Sequence, residues 1–107
     1  MRPTIAEKRQ TFRQLHESSC FVIPNPWDTG SAAILQSLGF KALASSSAGF
    51  AWSNARPDYN VARDDVLAHL TAICAATDIP VNADFENGFA DDPDSVAVNI
   101  ALAIETG

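Results

Sequence analysis

Apolar positions along this chain fall into two kinds of run. Some recur three and four residues apart, the helical period; others are short and unbroken, the mark of covered strands. Ile5, Phe12 and Leu15 form one side of a first helix, opened by the capping-box pattern Thr4-x-x-Glu7 and running to about Glu17. Phe21-Val-Ile-Pro24 reads as a short buried strand, followed by the loop Asn25-Pro-Trp-Asp28 with Asp28 placed to cap the next helix. Ala32, Ile34, Leu35 and Leu38 carry that second helix, and Gly39 is its stop. Phe40 to Ala44 is a second strand, and Ser45 to Asn60 is long, rich in small residues and read as irregular. A third helix covers Ala62 to Thr77, with Val66, Leu67, Leu70, Ile73 and Cys74 on one side and Asp64 and Asp65 at its positive end. Ile79 to Ala83 is a third strand. Asp92-Pro93 opens a fourth helix with Ala97, Ile100, Ala101 and Ile104 as its expected buried side, and Thr106-Gly107 as its stop.

The predicted order is a helix followed by three strand–helix units. Unbroken apolar strands fit a parallel sheet covered on both faces, so the fold class is α/β. Three such units cannot close an eight-stranded barrel, and Glu105-Thr-Gly107 resembles the entry to a further strand. The strand edges at Phe21–Pro24 and Ile79–Ala83 are expected to invite association.

Composition narrows the function classes. The chain has 107 residues, 47% of them hydrophobic, and a net charge of −6. That balance argues against nucleic acid and anionic membranes as partners and suits a divalent cation or a small polar ligand. Cys20 and Cys74 are isolated and read as reduced structural thiols. No apolar run reaches membrane-spanning length and the first residues lack a signal-peptide core, so a soluble cytoplasmic protein is expected.

The chemistry concentrates in one segment. Between Ala83 and Ser95, Asp84, Glu86, Asp91, Asp92 and Asp94 supply five of the chain's 13 acids with no Lys or Arg among them. Asp84 and Glu86 are spaced i, i+2, which in extended backbone points both to one side. At the carboxyl end of a strand such a pair can hold Mg²⁺, a hard cation that takes oxygen ligands and keeps several waters. Spacing alone leaves open a solvated acidic loop. Gly88 fits a tight turn. Ser45-Ser-Ser-Ala48 follows the second strand, where small residues, hydroxyls and backbone N–H groups can receive an anion, or form an ordinary serine-rich turn. Arg56-Pro-Asp58 lies in the longest loop, as an active-site lid or a surface turn. Asn25 and Asp28 face the same sheet end; a capping role is favoured for Asp28. Trp27 and Trp52 wall a pocket or pack in the core. His16 and His69 sit on helices away from strand ends and read as non-catalytic.

Three segments together resemble the isocitrate lyase/phosphoenolpyruvate mutase superfamily: Pro24-Asn-Pro-Trp-Asp28 with Ser31-Ala, Ser45-Ser-Ser-Ala-Gly-Phe-Ala51 with Arg56-Pro-Asp58, and Ala83-Asp-Phe-Glu-Asn-Gly-Phe89. The resemblance runs along the whole chain but spans only the first third to half of a family member. It implies an N-terminal helix plus three βα units of a (β/α)8 TIM-type barrel, incomplete in this chain. It also implies Mg²⁺ as cofactor, a small α-oxo acid or phosphonate as substrate, and a homo-oligomer for full-length members. Asp84 and Glu86 correspond to the metal-associated acids, Ser45, Ser46, Ser47 and Ala48 to the substrate loop, and Asp58 to the acid of the gating loop. The implied chemistry passes through a pyruvate enolate whose oxyanion is stabilised while a C–C or P–C bond breaks or forms. Glu86 stands where lyases tend to carry Asp, which points to the mutase-like branch. The strand-four acids, the Lys-Cys-Gly-His loop of the lyases and the downstream arginine have no counterpart here. Cys74, on a helix's buried face, is no substitute nucleophile.

Two readings of function follow: a Mg-dependent lyase or phosphonomutase-type enzyme of which this is the N-terminal part, or a catalytically inactive truncated barrel fragment acting at most as a binding or assembly unit. A small flavodoxin-like binding module is weaker, because no Gly-rich phosphate loop supports it.

Overall fold

The computed structural model describes residues 1–107. Its elements are α1 (Ile5–Leu15), α2 (Thr29–Ser37), β1 (Leu43–Ala44), α3 (Ser47–Ser53), α4 (Arg63–Ala76), β2 (Val81–Asn82) and α5 (Pro93–Ile104). The result is a helix-rich α/β structure around a small parallel sheet. β1 and β2 pair with Leu43 opposite Val81 and Ala44 opposite Asn82, and α3 and α4 form the crossover between them.

The helix starts follow local chemistry. Thr4 Oγ1 accepts the Glu7 N–H at 3.2 Å while Glu7 Oε2 accepts the Thr4 N–H at 2.7 Å, a complete capping box. Asp28 caps α2 by accepting the Ser31 N–H at 2.7 Å, and Asp92 caps α5 by accepting the Ser95 N–H at 2.9 Å. Gly39, at φ +94°, follows the end of α2 as expected.

Two small apolar clusters assemble these elements. Ala32, Leu43 and Ile73, flanked by Leu35, Ile79 and Val81, fix α2 and α4 against the sheet. Val66, Leu70 and Phe85, flanked by Phe50, Val61, Leu67, Phe89 and Ala103, fix α4 beneath the segment that follows β2. A polar tie supplements them. The ammonium of the buried Lys8 donates to the Cys74 and Thr77 carbonyls at 3.1 and 2.9 Å. Those carbonyls close the end of α4, where helix acceptors lack internal donors and the dipole favours a cation.

Several expectations are corrected. Phe21–Pro24 is not a strand: it runs extended beside β1 with a single ladder bond, Ala44 N–H to Pro24 O at 3.0 Å, and Val22 is 66% exposed. The second and third strands shrink to two residues each. The segment from Ser45 is not irregular throughout, because Ser46 accepts the Gly49 N–H and starts α3. In α5 the expected inward residues Ala97, Ile100, Ala101 and Ile104 are exposed, and Asn99 is buried instead. Ile100 and Ile104 border an open cavity of about 380 Å³ between α1, β2 and α5, so nothing in the chain covers them. Cys20 is exposed and free, whereas Cys74 is buried and free. Trp27 and Trp52 meet edge to face with centroids 5.6 Å apart, but both are largely exposed and neither joins the core clusters.

Lys8→Met retains the apolar stem and removes the donor to both α4 carbonyls. A loss of about 1–3 kcal/mol in urea unfolding is expected; an unchanged midpoint would show that the tie contributes nothing.

Candidate functional site

β1 and β2 run parallel, so the segments that follow them emerge at one edge of the sheet. Ser45 and Ser47 follow β1, and Asp84 lies just past β2. They meet directly. Asp84 Oδ2 accepts the Ser47 N–H at 3.0 Å and the Ser47 hydroxyl at 2.8 Å. In return Ser45 Oγ accepts the Asp84 N–H at 2.9 Å. Asp84 Oδ1 accepts the Glu86 N–H at 3.2 Å, drawing the next acid toward the same place. Asn25 Nδ2 donates to the Ala44 carbonyl at 3.0 Å, bringing the loop before α2 to this edge.

The three serines therefore have distinct tasks. Ser45 and Ser47 grip Asp84 and are buried; Ser46 caps α3. Ala48 is half-buried in the first turn of α3.

Glu86 is held differently. Its backbone is left-handed at φ +52°, unusual for a residue with a side chain. Its Oε1 is buried with no hydrogen-bond partner. Burial, then the charges of Asp58 and Asp84, push its carboxyl above the ordinary value. Asp58 thus lies near enough to be felt, although its loop is exposed and Asp58 Oδ1 accepts the Tyr59 N–H at 2.9 Å. Asp84 goes the other way. Burial opposes its charge, but the bonds from the Ser47 N–H, the Ser47 hydroxyl and the Glu86 N–H together outweigh it and hold its carboxyl below the ordinary value. Like carboxylates at one edge are thereby split into one that is satisfied and one that is not.

Two oxygen-donor acids, one with an orphaned buried oxygen, fit a hard dication that takes further ligands from water or substrate. No group of three or more His, Cys, Asp or Glu side chains gathers to enclose an ion. The 380 Å³ cavity is lined by Asn82, Ala83 and Phe85, the chain neighbours of Asp84, but by neither acid. His69 is half-buried on α4, stacked on Phe50 at 4.1 Å with its Nε2 unpartnered, and His16 Nδ1 pairs with the Phe12 carbonyl at 2.6 Å. The buried Asn99, whose Nδ2 donates to the Gly88 carbonyl at 2.7 Å, touches the Glu86 turn and is not singled out by motif. Its only sequence signal is a lone amide within an otherwise apolar stretch from Val96 to Ile104.

Residues 12–107 match the phosphoenolpyruvate phosphomutase family. This chain belongs to that family, within the phosphoenolpyruvate mutase/isocitrate lyase superfamily. It is 35% identical over 98 residues to an uncharacterised protein of Mycobacterium tuberculosis strain H37Rv, an alignment covering 91% of this chain and 38% of the relative. A lyase/mutase-type protein from Burkholderia cenocepacia J2315 superposes at a TM-score of 0.94 with 48% identity, over 96% of this chain and 38% of that one. Phosphonopyruvate hydrolase, solved with oxalate and Mg²⁺, superposes at 0.82 with 25% identity, over 94% of this chain and 37% of that one. The chain thus spans somewhat over a third of the length of these relatives.

The opposite shifts predict opposite mutant behaviour. A raised carboxyl means that, between its ordinary and raised values, the folded state holds the proton more tightly than the unfolded chain, so stability falls as pH rises through that window. Glu86→Gln removes this penalty and is expected to raise the urea midpoint at pH 7. Asp84 contributes stability above the ordinary aspartate value that is lost as pH falls through its lowered one. Asp84→Asn is therefore expected to lower the midpoint at pH 7 and to lessen the loss on acidification. Shifts of the same sign in both variants would contradict the electrostatic description.

Proposed function

We propose that Ser45, Ser46, Ser47, Ala48, Asp58, Asp84 and Glu86 form the N-terminal share of an active site for a small α-oxo acid or phosphonate. In this reading residues 1–107 are the first helix and three βα units of a (β/α)8 barrel, whose chemistry sits at the carboxyl ends of its strands. The observation that carries it is the buried, unpartnered Oε1 of Glu86 beside Asp84 and Asp58 at the sheet edge.

Asp84 and Glu86 would hold Mg²⁺, which when bound supplies Lewis-acid stabilisation to the developing enolate charge. Ser47 favours the ionised form of Asp84 and fixes its orientation. Ser45 locks the backbone from which Asp84 projects. The small side chains from Ser45 to Ala48 leave room for a carboxylate or phosphonate close to the backbone. Asp58, on an exposed loop, is the acid that closing this loop would bring to the substrate, excluding water from the enolate. The bond broken or formed is C–C or P–C.

A second reading is a catalytically inactive truncated barrel fragment acting at most as a binding or assembly unit. The exposed Ile100 and Ile104 beside the open cavity favour it, as apolar surface awaiting a cover.

Calorimetric titration with oxalate, a planar mimic of the pyruvate enolate, tests the metal and substrate site that the first reading requires. Heat is expected with Mg²⁺ present and not without it. Asp84→Ala should weaken binding by at least about tenfold, the scale of loss seen even for groups that only support a metal ligand. Absence of heat in every combination would leave the fragment reading.

A further inference from the structure

The turn after β2 takes positive φ at three of its four positions from Glu86 to Phe89, two of them residues with a β-carbon. Glu86, Gly88 and Phe89 all have positive φ, at 52°, 82° and 57°. A left-handed conformation is costly for a residue with a β-carbon and persists only where the surroundings enforce it. Gly88 is enforced by packing, since a β-carbon there would lie 2.9 Å from Val96 Cγ1. Local bonds, Gly88 N–H to Phe85 O and Phe89 N–H to Asn87 Oδ1, both 3.0 Å, shape the turn but lie within it.

The external hold comes from α5. Asn99 is 5% exposed, and its Nδ2 donates to Gly88 O at 2.7 Å and to Phe89 O at 3.4 Å. An amide can face either way, with oxygen or nitrogen toward a given neighbour. Arg63 removes that freedom. Its guanidinium has only donors, and its Nη1 donates to Asn99 Oδ1 at 2.8 Å, so both Asn99 N–H groups must face the turn. Arg63 is also the first residue of α4, where the loop bearing Asp58 ends. One buried amide thus joins the two segments that carry Glu86 and Asp58.

We infer that Asn99, oriented by Arg63, is a positioning residue that holds the Glu86–Phe89 turn in its left-handed form and so keeps Glu86 against Asp84. The consequence for metal binding rests on the reading of Asp84 and Glu86 as metal ligands.

Asn99→Asp tests it on the full chain. The carboxylate retains a pairing with Arg63 but cannot donate to Gly88 O or Phe89 O. Arg63→Gln is the second variant; it leaves the Asn99 donors but frees the amide to turn. Amide hydrogen exchange is followed by NMR at Gly88 and Leu70, and Mn²⁺ affinity by calorimetry. In Asn99→Asp, Gly88 exchange is expected to quicken at least about tenfold with Leu70 unchanged, and the Mn²⁺ dissociation constant to rise about 10- to 100-fold. Arg63→Gln should move both in the same direction by less. Thr4→Ala, which loses the α1 cap, should lower the melting temperature without moving the affinity. Gly88 exchange unchanged in Asn99→Asp overturns the inference, as does a loosened turn with native Mn²⁺ affinity. Absence of Mn²⁺ binding in the native chain overturns the metal reading instead, and the exchange rates still decide whether Asn99 holds the turn.

Discussion

The clamp between Ser47 and Asp84 is the constraint on which the sheet end depends. Two strands of two residues each cannot define a register through their own short ladder. The Asp84 carboxylate, taking both the N–H and the hydroxyl of Ser47, and the Ser45 hydroxyl, taking the Asp84 N–H, extend the pairing past the strands into side chains. Bonds to an ionised acceptor are about twice as strong as neutral ones, so this short contact fixes the edge more firmly than another backbone rung would. Everything downstream inherits that position: the Glu86 N–H returns to Asp84, and the turn at Gly88 folds back onto α5.

The same edge carries an unresolved cost. The segment from Ala83 to Ser95 has no positive side chain, and the chain's net charge is −6. Asp84 is accommodated by three donors, while Glu86 receives none at Oε1 and feels both neighbouring acids. A structure selected for stability alone would place a lysine, a glutamine or a solvent path there. Destabilised charge at an active site is a familiar compromise between stability and function. The chain belongs to the phosphoenolpyruvate phosphomutase family, and phosphonopyruvate hydrolase, to which it is structurally similar, is solved with Mg²⁺ and oxalate.

The helices with caps were legible in the sequence because caps are local: Thr4 with Glu7, Asp28 with Ser31 and Asp92 with Ser95 are all three residues apart. α4 was legible in its buried face because Val66, Leu70, Ile73 and Cys74 recur at helical spacing. α5 was not, since apolar residues surround it and no period can choose a side; the inward face is marked by its amide, Asn99. α3 was hidden because serine, alanine and glycine suggest a loop until Ser46 is seen capping Gly49. Strand lengths were overestimated because apolar runs report burial, not pairing, and Phe21–Pro24 makes only one ladder bond. In the candidate site, spacing marked Asp84 and Glu86 as a pair without choosing between a cation site and a solvated loop, and the resemblance proposed roles for them and for the serines. The orphaned oxygen and the strained turn depend on three-dimensional contacts that no spacing encodes.

We propose that Asp84 and Glu86 share one divalent cation at the carboxyl end of the sheet. The most direct test is the anomalous difference map of crystals grown with Mn²⁺ and oxalate. A single peak bounded by the Asp84 and Glu86 carboxylates is expected, at the oxygen distances of about 2.0–2.2 Å typical of small divalent ions. A peak confined to Asp91, Asp92 and Asp94, or no peak with oxalate bound elsewhere, would contradict it.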